Sequence, residues 1–337
     1  MKYGTGAIPD LPDLRDHSYE QAFGSPVLTK AEWDEGYDVE EEFGVKLKQE
    51  DQGSSSSCVG QSVSKLFELK LIEKYGRDYL KDYSARWIYA NVSLGAGQGA
   101  YIRDGMKWAA DYGSVEEVLA SSYENGKPPS ETFMLNKADM TQMIYDQAKK
   151  VDVFNYRVIE GKNIDTIAHA IKTHKGVVLG FLGTNEGWQT GKVRPPKDGE
   201  TIWGHAIVAT RFGKENGVKY VSGLNSWSGQ WGLGGYWLVD EEGYFAEHNL
   251  QYVFNPWMFV YDNLMPNEVK IMDFLNRNQG KIIQDSEQSG SFALVKGDKV
   301  LVASRERIAE LIATYIVQKE GVPTSKDIWN SLPKVNF

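Results

Sequence analysis

At 337 residues, with 41% hydrophobic and 25% charged side chains, the chain has the composition of a globular protein with a sizeable core. Its net charge of −9 excludes the basic footprint that nonspecific nucleic-acid binding requires. The single cysteine, Cys58, excludes an internal disulfide and a thiolate zinc site.

The opening, MKYGTGAIPDLPDLRD, has no apolar h-region, so no signal peptide is expected. No run approaches the roughly 20 apolar residues of a membrane span. Prolines alternating with acids over Ile8–Asp13 favour extended chain. Residues 31–43, AEWDEGYDVEEEF, carry acids and no base, which reads as a solvated surface segment or as a removable or inhibitory arm. Residues 1–45 are thus expected to form an extended acidic lead-in.

From Cys58 to Tyr75 apolar residues recur at helical spacing, which predicts a helix with one buried face, stopped at Gly76. Further helices are predicted over 85–92 and 102–112, the second fed by the glycine-rich loop 95–99. That loop lacks the strand-then-G-x-G-x-x-G order of a phosphate site. After residue 150 the pattern changes to a strand over 153–158, a helix over 164–174 and a buried strand over 176–183. Strands over 206–211, 220–225 and 236–239 follow, with residues 213–217 and 226–235 as turns. Helices first and antiparallel strands later predict an α+β fold with a helical half and a sheet half, with a site in the cleft between them. Residues 267–337 form a smaller α+β unit, with helices near 268–277 and 305–317 and a hairpin over 292–303.

Cys58 sits at a predicted helix start, where the helix dipole favours the thiolate, and Gln52 lies six residues upstream as an oxyanion donor. Of the five histidines, His205 stands out because it opens an apolar strand. Asn225 follows at the end of a neighbouring strand. It suits acceptance of an imidazole Nδ1–H, which would leave Nε2 for the sulfur, and Trp227 would shield that bond from water. His17, His169, His174 and His248 have no such setting.

The order Gln52, Cys58, His205, Asn225 resembles the papain-like cysteine peptidases, family C1. Gln52-Gly53-x-x-x-x-Cys58, Gly204-His205-Ala206 and Asn225-Ser226-Trp227-Ser228-Gly229-Gln230-Trp231-Gly232 carry the resemblance, over about residues 45–260. The Ile8-Pro9-Asp10 opening resembles bacterial and bacteriophage members. The resemblance implies a two-lobed papain-like domain over 46–262. It implies Cys58 as nucleophile, His205 as base and acid, Asn225 as orienter, and Gln52 with the Cys58 N–H as oxyanion donors. Gly97, Gly99 and Trp227 would meet substrate. Ser55 stands where the family has a disulfide cysteine, and no long helical propeptide is expected in so short a lead-in.

The expected activity is peptide-bond hydrolysis through an acyl-thioester on Cys58, with a protein or peptide as substrate and no metal, cofactor, nucleic acid or membrane involved. Two other readings share these residues: a virion or interaction protein keeping the fold, and a Cys-dependent acyl or amide transferase. The expected location is cytoplasmic or virion-associated, with residues 267–337 binding a protein partner or assembly. A serine hydrolase lacks its G-x-S-x-G elbow here, and a metallohydrolase its H-E-x-x-H.

Overall fold

The computed structural model describes residues 4–13, 16–150 and 155–261, with strand segments at 282–285, 292–296, 299–303, 322–324 and 334–336. Contacts divide the chain into two units, 1–260 and 261–337.

The lead-in is more ordered than its composition predicts. Strand β1 (Ala7–Ile8) is followed by helices α1 (Tyr19–Phe23) and α2 (Lys30–Glu35), strand β2 (Tyr37–Asp38) and helix α3 (Val39–Phe43). Ser18 caps α1, and Thr29 with Glu32 forms a full capping box on α2. The acidic stretch 31–43 keeps most of its acids at the surface but is anchored inward at three residues. Trp33 and Val39 are buried, Trp33 Nε1 donates to Asp165 Oδ1 at 2.6 Å, and Glu40 is neutralised by Arg211. Two inward apolar residues and one paired acid outweigh the exposed charges around them.

Helix α4 (Cys58–Tyr75) runs through the middle of the first unit, buried from Cys58 to Ile72 on every side rather than on one face. Its polar residues survive burial because they are paired: Lys65 Nζ lies 3.1 Å from Glu50 and 2.8 Å from Glu68. Helices α5 (Ala85–Val92) and α6 (Ile102–Tyr112) cross it closely. A Cβ on Gly60 would lie 2.5 Å from Ala85 O, so this crossing requires glycine. Short strand β3 (Ala100–Tyr101) precedes α6, while α7 (Glu131–Leu135) and α8 (Gln142–Ala148) complete the helical side.

The sheet comprises β4 (Asn155–Val158), β5 (Val177–Gly183), β6 (Trp203–Glu215), β7 (Val218–Leu224), β8 (Tyr236–Asp240) and β9 (Val253–Val260), with α9 (Ile164–His174) between β4 and β5. Among the described residues its order is β4-β9-β5-β6-β7-β8, with β2 added to β6, and each of these pairs is antiparallel. Two strands depart from the sequence pattern. β6 continues through Gly213 to Glu215 and turns only at Asn216-Gly217, both at positive φ, as a tight hairpin turn requires. β9 was hidden by Asn255-Pro256, a breaker pair. Asn255 adopts a positive φ there, close to a register shift between β5 and β9.

In the second unit, β10 (Ile282–Asp285), β11 (Phe292–Lys296), β12 (Lys299–Ala303), β13 (Val322–Thr324) and β14 (Lys334–Asn336) form a sheet ordered β13-β10-β11-β12-β14. The expected 292–303 hairpin is present as the antiparallel β11–β12 pair, with Lys296 opposite Lys299. The helices expected near 268–277 and 305–317 lie outside the described residues.

Candidate active site

Cys58 is the first residue of α4, which puts its sulfur at the positive end of the helix. The preceding loop turns at Gly53, whose φ of 57° lets its N–H donate to Asp51 Oδ1 at 2.9 Å. That turn directs Gln52 into the protein, where it is fully buried. Gln52 N donates to Ser226 O at 2.9 Å and Gln52 Oε1 accepts from Ser226 Oγ at 2.5 Å. With the oxygen held this way, Nε2 faces the Cys58 loop and donates to Ser55 O at 2.8 Å. Ser226 therefore sets the orientation of the Gln52 amide, a role that sequence reasoning missed. Its signal was a hydroxyl directly after Asn225.

His205 lies on β6, and Asn225 immediately follows β7, its hydrogen-bonded neighbour. His205 Nε2 is 2.8 Å from Asn225 Oδ1, and the same oxygen accepts Ser226 N–H at 2.8 Å. Two donors on one atom identify it as the amide oxygen, so the imidazole carries its proton on Nε2. This reverses the tautomer expected from the sequence, because the ring enters the cleft with Nε2 toward β7. His205 Nδ1 is left buried, with no hydrogen-bond partner among the described residues. The Cys58 sulfur faces the backbone N–H of Ala206, the residue after His205. Trp227 stacks on His205 with centroids 4.5 Å apart and rings 27° from parallel.

The cleft is closed by the chain's own first residues. Gly4 N donates to Gly53 O at 3.0 Å, Trp227 Nε1 donates to Gly4 O at 3.0 Å, and Gly6 N donates to Gly204 O at 2.9 Å. Ala100 N then donates to Gly6 O at 2.9 Å, and β1 continues parallel to β3. The arm fits because it is made of small residues. A Cβ on Gly4 would lie 1.8 Å from Ser55 O, and one on Gly99 would lie 1.7 Å from Gly6 O. Gly99 therefore touches the arm, whereas Gly97 donates to Glu131 Oε1 and has open space at its α-carbon.

Under this cover Cys58 and His205 are both 0% exposed. Burial pushes the thiol up to about 11, against the backbone N–H groups of Ala206, Val59, Ala7 and Gly6 around the sulfur. Burial lowers His205 to about 4, against the support of Asn225. Both groups are neutral in the closed form.

The remaining histidines stand apart from Cys58. His169 Nδ1 is 2.8 Å from Tyr19 Oη, and His174 packs edge-on to the same ring. Glu50, Glu68 and Asp82 could together hold a cation, but Lys65 already bridges Glu50 and Glu68. The ammonium supplies the positive charge that the cluster needs.

A family model described as papain family cysteine protease matches residues 35–251. An uncharacterized peptidase C1-like protein of Acanthamoeba polyphaga mimivirus is 27% identical over 262 residues, covering 71% of this chain and 81% of its own. Among solved structures, xylellain, a cysteine protease from Xylella fastidiosa, aligns with a TM-score of 0.62 at 22% identity. It covers 77% of this chain and 97% of its own. Digestive procathepsin L2 of Tenebrio molitor aligns with a TM-score of 0.55 at 19% identity, covering 77% of this chain and 78% of its own. These likenesses show a papain-like fold, helices packed against an antiparallel sheet.

Proposed function

The chain belongs to the papain family of cysteine proteases, and from that premise we propose that it is a cysteine endopeptidase held latent by its N-terminal arm. The observation that carries the reading is the His205–Asn225 bond, which holds the imidazole by Nε2 and leaves its Nδ1 lone pair unclaimed, one residue before the Ala206 N–H that the Cys58 sulfur faces. His205 Nδ1 takes the thiol proton as sulfur attacks the substrate carbonyl carbon. The developing oxyanion is held by the Cys58 backbone N–H and by Gln52 Nε2, which Ser226 aims. The C–N bond breaks, the departing amine takes the proton from His205, and water hydrolyses the acyl-thioester.

The same chemistry gives the cleft a direction. The leaving half of a substrate must lie where His205 can protonate it, on the Trp227 side, and the acyl half on the Gly99–Ala100 side. A substrate therefore runs, N- to C-terminus, from Ala100 toward Trp227. The arm runs the other way, with Gly4 at Trp227 and Ala7 and Ile8 alongside Ala100 and Tyr101. An inverted peptide fills the groove without presenting a carbonyl in register for attack. The inhibitory part of the lead-in is thus residues 4–8 rather than the acidic stretch 31–43.

The Ile8-Pro9-Asp10 opening supports a bacterial or bacteriophage type, and the separateness of the second unit is consistent with residues 267–337 binding a protein partner or assembly. Incubating the chain with a peptide mixture after displacement of the arm tests the reading by mass spectrometry. Cleaved peptides that vanish with Cys58→Ala are expected. Intact peptides carrying added amine would favour the transferase, and no change of either kind would favour a virion or interaction protein.

A further inference from the structure

Four tryptophans gather on the leaving-group side of His205. Trp188, Trp227 and Trp231 are nearly fully buried, whereas Trp203 is only half-buried. Trp203 lies edge-on to Trp188 at 5.4 Å, to Trp227 at 5.8 Å and to His205 at 6.2 Å between centroids. Its indole Nε1 donates to Asn185 Oδ1 at 3.1 Å, which pins the ring plane. Room for the ring comes from Gly183, where a Cβ would lie 2.6 Å from Trp203 Cζ3. The next residue is Gly204, whose carbonyl holds the arm at Gly6. The strand thus offers a peptide a backbone acceptor with no side chain, beside an indole that is fixed and partly open.

Resting on the hydrolase reading above, we propose that Trp203 is a specificity residue for the leaving half of the substrate, selecting a large apolar or aromatic residue directly after the scissile bond. The ring is fixed by packing and by Asn185, so a partner ring or branched chain gains contact area at small entropic cost. An aspartate or glycine there would gain nothing from the apolar surface.

Acyl transfer isolates this subsite, because an attacking amine enters where the leaving amine departed. In that step the amine nitrogen bonds to the acyl carbon, the C–S bond breaks, and the amine proton passes through His205 to the Cys58 sulfur. The experiment uses the full-length chain carrying Gly4→Val and Gly6→Val to displace the arm, with displacement verified by iodoacetamide labelling of Cys58. A peptidyl methyl ester acylates the enzyme, and phenylalanine amide competes with glycine amide for the acyl group.

The expected result is a preference for phenylalanine amide of about 10-fold or more, the usual size of a hydrophobic-pocket selectivity. It should collapse toward unity in Trp203→Ala and be restored in Trp203→Phe. A ratio equal in parent and Trp203→Ala, with the ester still consumed, would overturn this inference and leave the hydrolase standing. A labelled Cys58 that does not consume the ester would overturn the hydrolase reading and this inference with it.

Discussion

At the scale of single residues, the site is a chain of atoms each fixed by the next. Ser226 binds Gln52 and, through its backbone, Asn225; Asn225 binds His205; Trp227 stacks on the ring. In the proposed mechanism Gln52→Ala removes one oxyanion donor and is expected to lower kcat by about 10²–10³-fold with KM little changed. Asn225→Ala frees the imidazole to rotate or change tautomer, and a loss of about 10²-fold or more follows if oriented proton transfer is its contribution. Steady-state kinetics on an arm-displaced chain checks both. An unchanged kcat in either variant would remove that residue from the mechanism. The sequence made these residues legible through their order and spacing. It could not give the tautomer, because which ring nitrogen meets Asn225 depends on how β6 and β7 register.

At the scale of elements, the lead-in docks through α1 as well as through the arm. Tyr19 and Phe23 pack on His174, whose two ring nitrogens are buried without a hydrogen-bond partner among the described residues. Burial lowers His174 to about 3, helped by the nearby charges of Lys70, His169, Arg157 and Lys175. A depressed histidine adds stability above its unfolded value near 6.5, and that stability is lost as pH falls toward about 3. Asp10, raised to about 6 chiefly by burial, works in the opposite sense, strengthening docking as pH falls. Comparing wild type with His174→Phe cancels the Asp10 effect. The melting temperature of wild type is expected to fall more steeply between pH 7 and 5 than that of the variant; parallel curves would show that His174 does not couple folding to acid. Helices α5, α6 and α9 were legible because their apolar spacing agrees with their final packing, and the ends of α4 and α6 because Gly76 and Gly113 stop them. The lead-in was not, because its charges dominate the composition while a few residues, Tyr19, Trp33 and Val39, decide where it goes.

At the scale of the whole molecule, the first unit combines a papain-like fold with an occupant of its own groove, and the chain carries a second sheet unit beyond it. The family's motifs made the proposed nucleophile legible, but nothing in Gly4-Thr5-Gly6-Ala7 announced the proposed plug. Its function depends on a close approach between backbones, which only glycine permits and which no periodicity encodes. The central claim is that Cys58 has a base beside it and that the arm keeps the pair closed. Iodoacetamide alkylation of Cys58 as a function of pH, in wild type and in Gly4→Val, Gly6→Val, tests both parts at once. Wild type should resist labelling across neutral pH, and the displaced chain should label rapidly well below the ordinary thiol value of about 8.5. Equal labelling of the two chains, or labelling of the displaced chain that rises only near that value, would contradict the account.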